Sequence, residues 1–188
     1  MRIKNFFFGA AVAAAIALPV LSGCSKSDDG QKAATNGPAA VSPQVNSTAL
    51  IDDLKARLRE NPNDADILWR LADVYFEAKQ FAESSEYYKK VLVVKPNETD
   101  VYNDLGLSYH YMGNSSEGLR HIEDGIKKNP YHQRIWLTKG FIMAYGMGDL
   151  DGAKAAWEKA NALNPESQIG KAAADFLAQF KSGNGERK

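Results

Sequence analysis

The 188-residue chain carries 23 basic residues, 23 acidic residues and a single cysteine, Cys24. The even charge leaves no basic footprint for nucleic acid, and one cysteine excludes an intrachain disulfide, a multi-cysteine zinc site and the C-x-x-C-H attachment of covalent haem. H-E-x-x-H, G-x-x-x-x-G-K-[ST] and G-x-S-x-G are all absent from the sequence, so neither an enzyme nor a cofactor is expected.

Residues 1–23 begin with Arg2 and Lys4 and continue as the uncharged run FFFGAAVAAAIALPVLSG, the pattern of a secretory signal peptide. A spanning helix needs about 20 uninterrupted apolar residues, and Pro19, Ser22 and Gly23 cut this run short. Directly behind it, Leu21, Ser22, Gly23 and Cys24 resemble the lipobox of bacterial lipoproteins. The resemblance implies cleavage before Cys24 and acylation of its thiol. Ser25 stands where an aspartate often implies inner-membrane retention, so the expected location is the outer membrane, facing the periplasm. Each buried CH₂ contributes about 0.8 kcal/mol, so several acyl chains make a stable anchor.

Residues 24–47, nearly free of large apolar side chains, bury too little surface to offset the entropy of ordering and read as a flexible linker. Its root-mean-square reach as a coil is roughly 25 Å. Beyond it, Pro62, Pro96 and Pro130 recur every 34 residues and Pro165 follows after 35. A helix-stopping residue at that interval marks stacked helical hairpins. The segments between the prolines, from ILWRLADVYF through VYNDLGLSYHYMG to IWLTKGFIMAYGMG, resemble the tetratricopeptide repeat.

The resemblance implies an all-α solenoid of three hairpins, residues 65–98, 99–132 and 133–165. Small residues at matching places, Ala72 with Ser84, Gly106 with Gly118 and Gly140 with Ala153, are expected to let paired helices approach closely. The third repeat holds one extra residue between Met143 and Gly148, which blurs its register. Leu50, Ile51, Leu54 and Leu58 mark residues 48–61 as an N-terminal capping helix. Ile169, Ala173, Phe176, Leu177 and Phe180 mark residues 166–180 as a C-terminal one, with 181–188 a disordered tail.

His110, His121 and His132 stand 11 apart, yet fall on a first helix, a second helix and a junction, so no shared metal is expected. The repeat's concave face offers more. Resemblance implies that positions 2, 5, 9, 12 and 13 of each first helix face a groove. In the first repeat these are Asp66, Trp69, Asp73, Phe76 and Glu77, and in the second Asp100, Asn103, Leu107, His110 and Tyr111. The third supplies Arg134, Leu137 and Phe141, then Ala144 or Tyr145. Trp69, Phe76, Leu107, Tyr111, Leu137 and Phe141 are expected to form an apolar stripe for an extended or helical peptide. Asn103 would hold its backbone, while Asp66, Asp73 and Asp100 would meet basic side chains. A carboxylate clamp for chaperone tails is not expected, since Trp69 and Asp73 replace two of its polar residues and only Arg134 remains.

The stretch IDDLKARLRENPNDADILWRLADVYF and the closing AAWEKANALNPESQIGKAAADFLAQ resemble the periplasmic tetratricopeptide domains of cytochrome c biogenesis factors. That likeness implies a membrane-anchored, non-enzymatic interaction scaffold that receives another envelope protein or peptide. A pilotin-like assembly factor for a secretin or pilus is the alternative.

Overall fold

A computed structural model describes the backbone of residues 43–185 and the side chains of 47–180. The signal segment, Cys24 and the linker up to Ser42 lie outside the described residues. Eight α-helices follow one another: α1 (Pro43–Glu60), α2 (Ala65–Glu77), α3 (Phe81–Val94), α4 (Thr99–Tyr111), α5 (Ser115–Lys128), α6 (Gln133–Ile142), α7 (Leu150–Leu163) and α8 (Gln168–Gly185). No strand occurs among the described residues. None of these helices is long and apolar enough to cross a membrane.

The proline junctions separate three hairpins, α2 with α3, α4 with α5, and α6 with α7, so the described residues form an all-α solenoid of helical hairpins. Asp64, Asn114 and Asp149 each turn a side chain onto free amides of the helix that follows, as N-caps do. Two junctions are stapled from the next helix: the Tyr102 hydroxyl donates to the Pro96 carbonyl at 3.2 Å and the Trp136 indole to the Pro130 carbonyl at 2.8 Å.

In the first two hairpins the matched small residues set the separation, whereas in the third Gly140 makes room for the Trp157 ring. A Cβ on Gly118 would lie 2.5 Å from the Gly106 carbonyl oxygen and one on Gly106 2.7 Å from Ile122, so α4 and α5 touch through backbone. The first hairpin uses the same places differently, Ser84 donating its hydroxyl to the Ala72 carbonyl at 3.0 Å. Val91, larger than its counterparts Gly125 and Ala160, is fully buried against Leu68, Ala72, Tyr88, Val101 and Leu105.

Both ends are covered. Ile51 and Leu54 of α1 pack on Ile67, Leu71, Val74 and Tyr75; burial of such side chains contributes about 1.5–3 kcal/mol each. Phe176 of α8 stacks on Trp157 with centroids 4.8 Å apart. Each cap is longer than expected. α1 starts five residues before Thr48, at Pro43, whose missing N–H and fixed φ suit a first helical position. α8 runs on to Gly185 rather than stopping at Phe180.

The extra residue of the third repeat becomes a π-helical turn, Met143–Met147, continuing α6. The amides of Gly148 and Asp149 both reach the Met143 carbonyl, one and two residues beyond α-helical spacing. Gly148 then closes the turn at φ 70°, a left-handed conformation that glycine adopts without Cβ strain. The insertion is absorbed within five residues, and α7 packs on α6 as the partner helices do in the other hairpins.

Candidate functional site

The C-terminal ends of α2, α4 and α6 carry a row of rings. Phe76 meets Tyr111 edge-on at 5.9 Å; Tyr111 neighbours His110 at 5.4 Å; His110 meets the Phe141 edge at 5.3 Å; Phe141 reaches Tyr145 at 5.0 Å. Phe81, the first residue of α3, joins them by stacking on Tyr111 at 4.9 Å and meeting Phe76 at 5.3 Å. Aromatic pairs add about 0.5–1.5 kcal/mol each beyond the area they bury, so the row holds its own geometry. A surface ordered in advance loses less entropy on binding. Tyr111 is 42 % exposed and Tyr145 62 %, with Met112 and Met147 exposed beside them. Methionine's unbranched thioether lets such a rim adapt to a partner's shape.

The π turn positions the far end of this row. It carries Tyr145 and lays Gly146 against a hydrogen bond between His110 Nδ1 and Ser115 Oγ, 2.9 Å long. A Cβ on Gly146 would stand 2.8 Å from His110 Nδ1, so only a glycine lets the turn lie so close.

The remaining groove positions have other surroundings. Trp69 and Leu137 are half-buried against the hairpin cores, and Glu77 and Ala144 take no part in the row. Leu107 is buried. Asp73 and Asn103, expected to meet a partner's side chains and backbone, are buried too: Asp73 accepts from the Tyr88 hydroxyl at 2.8 Å, and Asn103 Nδ2 donates to Asp104 at 3.1 Å. Burial first, then the negative Asp104 and Asp73, push the Tyr88 hydroxyl well above its usual range, so it stays a donor. Asp66 pairs with Lys95 at 3.0 Å. Arg134 spans Asp104 at 2.5 Å and Asp100 at 3.2 Å, and His132 also lies 3.2 Å from Asp100. These carboxylates are therefore engaged within the chain.

The three histidines have three different sets of neighbours, Ser115 and Phe141 for His110, Tyr109 and Glu117 for His121, and Asp100 for His132. No cluster of three metal-ligating side chains occurs among the described residues. Burial holds His110 below its usual value; it does the same for His121, against the opposing pull of Glu117. A folded value lower than the unfolded one means that the stability of the neutral rings is present above about pH 6.5 and is lost as pH falls from there through the folded values. Asp100 is held low, foremost by its hydrogen bond from His132, with burial opposing and Arg134 assisting. Its contribution is lost only as pH falls below about 3.9. The urea midpoint should therefore drop between pH 7 and 5 and again below pH 4, and His110→Gln with His121→Gln should flatten the first drop alone.

Sequence reasoning missed Phe81. Its signal was available: the residue opening each second helix is Phe81, Ser115 or Leu150, and the aromatic one follows Phe76 directly across the hairpin turn. Phe76, His110, Tyr111, Phe141 and Tyr145, chosen separately by repeat position, are the residues that the structure brings together.

The tetratricopeptide repeat family matches residues 65–98. Hsp70-Hsp90 organizing protein 3 of Arabidopsis thaliana is 23% identical over 94 residues, half of this chain and 17% of that protein's length. Among solved structures, MamA is similar over 77% of this chain and 92% of its own, with TM-score 0.61 and 17% identity. PcrH, crystallised with the chaperone-binding region of PopD, is similar over 63% of this chain and 92% of its own, with TM-score 0.58 and 16% identity.

Proposed function

We propose that this tetratricopeptide-repeat protein is a non-enzymatic scaffold, lipid-anchored at Cys24 in a bacterial envelope, that holds a peptide or protein segment along its aromatic row. The observation that carries the reading is the unbroken run of ring contacts across all three hairpins, with Tyr111 and Tyr145 exposed in it. Exposed apolar rings in a row mark partner surfaces, and PcrH, similar in fold, is described as holding a segment of another protein. Of the groove expected from Asp66, Trp69, Asp73, Asn103, Leu107, Arg134 and Leu137, Asp66 and Arg134 are held in ion pairs within the chain and Trp69 and Leu137 are half-buried. With Asp73, Asn103 and Leu107 buried, the contact surface is more apolar than the sequence suggested.

The apolar run ending in Leu21, Ser22, Gly23 and Cys24 supports the anchor, and Ser25 supports the outer membrane. Cytochrome c maturation is the process that the sequence likeness favours. Crosslinking the intact lipoprotein in its own envelope and identifying the captured protein tests the scaffold. Tyr111→Ala with Tyr145→Ala should cut capture about tenfold or more, as loss of central aromatic anchors does, with the fold intact because both rings are exposed. Capture unchanged by the pair would remove the row from consideration. Loss of c-type cytochromes on deletion would support that pathway, whereas a misplaced secretin would transfer the scaffold to pilotin-like assembly.

A further inference from the structure

At the opposite end of the first hairpin from Phe76 and Phe81, a cleft of about 570 Å³ opens between α1, α2 and α3. The charged residues on it are Lys55, Arg59 and Lys90, and no carboxylate lines it among the described residues. Arg59 and Lys90 enter no ion pair among the described residues, unlike Lys89 with Glu86 and Lys95 with Asp66. Lys90 holds its ammonium over the Tyr87 ring, 4.5 Å from the centroid, a weak contact that leaves the charge available to an anion. Beside these cations stand Val93, 83 % exposed, and Val94, 40 % exposed. Cations grouped around uncovered apolar side chains are the composition of a surface that lies in a lipid headgroup layer.

We propose that this edge rests on an anionic membrane surface, with Lys55, Arg59 and Lys90 meeting lipid phosphates and Val93 and Val94 entering the acyl boundary. The proposal rests on the reading of Cys24 as an acyl anchor. Cys24 stands 19 positions before Pro43, so α1 is the described helix closest in chain length to the anchor. An acyl anchor reinforced by a basic patch is a two-signal attachment. Exposure favours a membrane over an acidic peptide, since Val93 leaves 83 % of its apolar surface open, which an acyl boundary covers and an acidic strand does not. Because the aromatic row begins at the other end of α2, about 20 Å away by helix rise, contact at this edge would turn the row away from the bilayer.

The test uses the full acylated chain carrying Val93→Cys, whose new thiol is the only one left for an environment-sensitive fluorophore. The vesicles are phosphatidylethanolamine with or without phosphatidylglycerol. The label should report an apolar setting on anionic vesicles at low salt and lose it at high salt. A matching label at Tyr145→Cys should stay aqueous. Arg59→Glu with Lys90→Glu should weaken the contact at least about 25-fold, at roughly fivefold per charge, with helix content unchanged by circular dichroism. An aqueous Val93 label on protein that floats with the vesicles overturns the proposal, as does an equal signal on neutral vesicles. A signal given instead by polyglutamate without vesicles overturns it in favour of an acidic polypeptide. Flotation, scored apart from the label, reports the anchor. If flotation fails, the anchor reading fails, and the label at saturating vesicle concentration scores the surface by itself.

Discussion

Arg134→Ala should lower unfolding free energy by about 3–5 kcal/mol, the usual consequence of removing one partner from a buried ion pair. Arg134 leaves α6 and crosses to α4, where Asp104 has a side chain only 6 % exposed. Arg134 is itself held in its charged form: burial opposes the charge, and Asp104 and Asp100 outweigh it. Without the guanidinium, Asp104 keeps a carboxylate in a site that water scarcely reaches. The variant's deficit should therefore depend on pH. A buried carboxylate that has lost its cation takes up a proton more readily, so the variant should regain stability as pH falls. The gap between parent and variant in urea unfolding should narrow on acidification from pH 7 towards 4. Replacing both partners, Arg134→Met with Asp104→Leu, should restore much of the loss, because a well-packed apolar pair avoids the desolvation of two charges. A constant gap at all pH values would mean that the lost packing of Arg134, and not the buried charge of Asp104, sets the cost.

Gly118→Leu should cost about 3 kcal/mol, or roughly 6–12 °C in melting temperature for a chain of this size. Glycine to alanine in a helix normally stabilises by about 1 kcal/mol, so Gly118→Ala decides the sign. Its new Cβ would meet the Gly106 carbonyl oxygen at 2.5 Å and the His110 amide at 3.2 Å. Backbone cannot swing aside as a side chain can, so α4 and α5 must separate. Both substitutions should lower the melting temperature, the larger by more, with the displacement felt at His110 and Tyr111 in the same helix. A Gly118→Ala chain more stable than its parent would show that the two helices do not touch through backbone.

The proline interval and the matched small residues made the hairpins legible, because both report a constraint that acts within one repeat. Ala72 with Ser84 and Gly106 with Gly118 meet as their spacing implied. The polar contacts between helices were harder to read. Position 9 identifies Asp73 as groove-facing, but not that Tyr88 of the next helix reaches round to bond it. Position 2 likewise places Arg134 without showing that it folds back over Asp104 of the preceding repeat. Burial at these sites depends on neighbours about 15 to 30 residues away, and helical periodicity carries no information at that range. The rings fared better, since Phe76, His110, Tyr111 and Phe141 meet one another from matching repeat positions, and Phe81 was lost only because it opens a second helix.

The π turn at Met143–Met147 also limits how the array can grow. Tandem repeats lengthen by unequal recombination, which splices one unit into the corresponding place of another. Between the first two units a crossover anywhere preserves the count of 34, so duplicates of residues 65–98 or 99–132 stack in phase. A crossover that copies the third unit past Met143 imports the extra residue, and each copy would need its own Gly146 and Gly148 to absorb it. The third hairpin is thus copied in phase only when its π turn travels with it, Met143 to Gly148 as one piece.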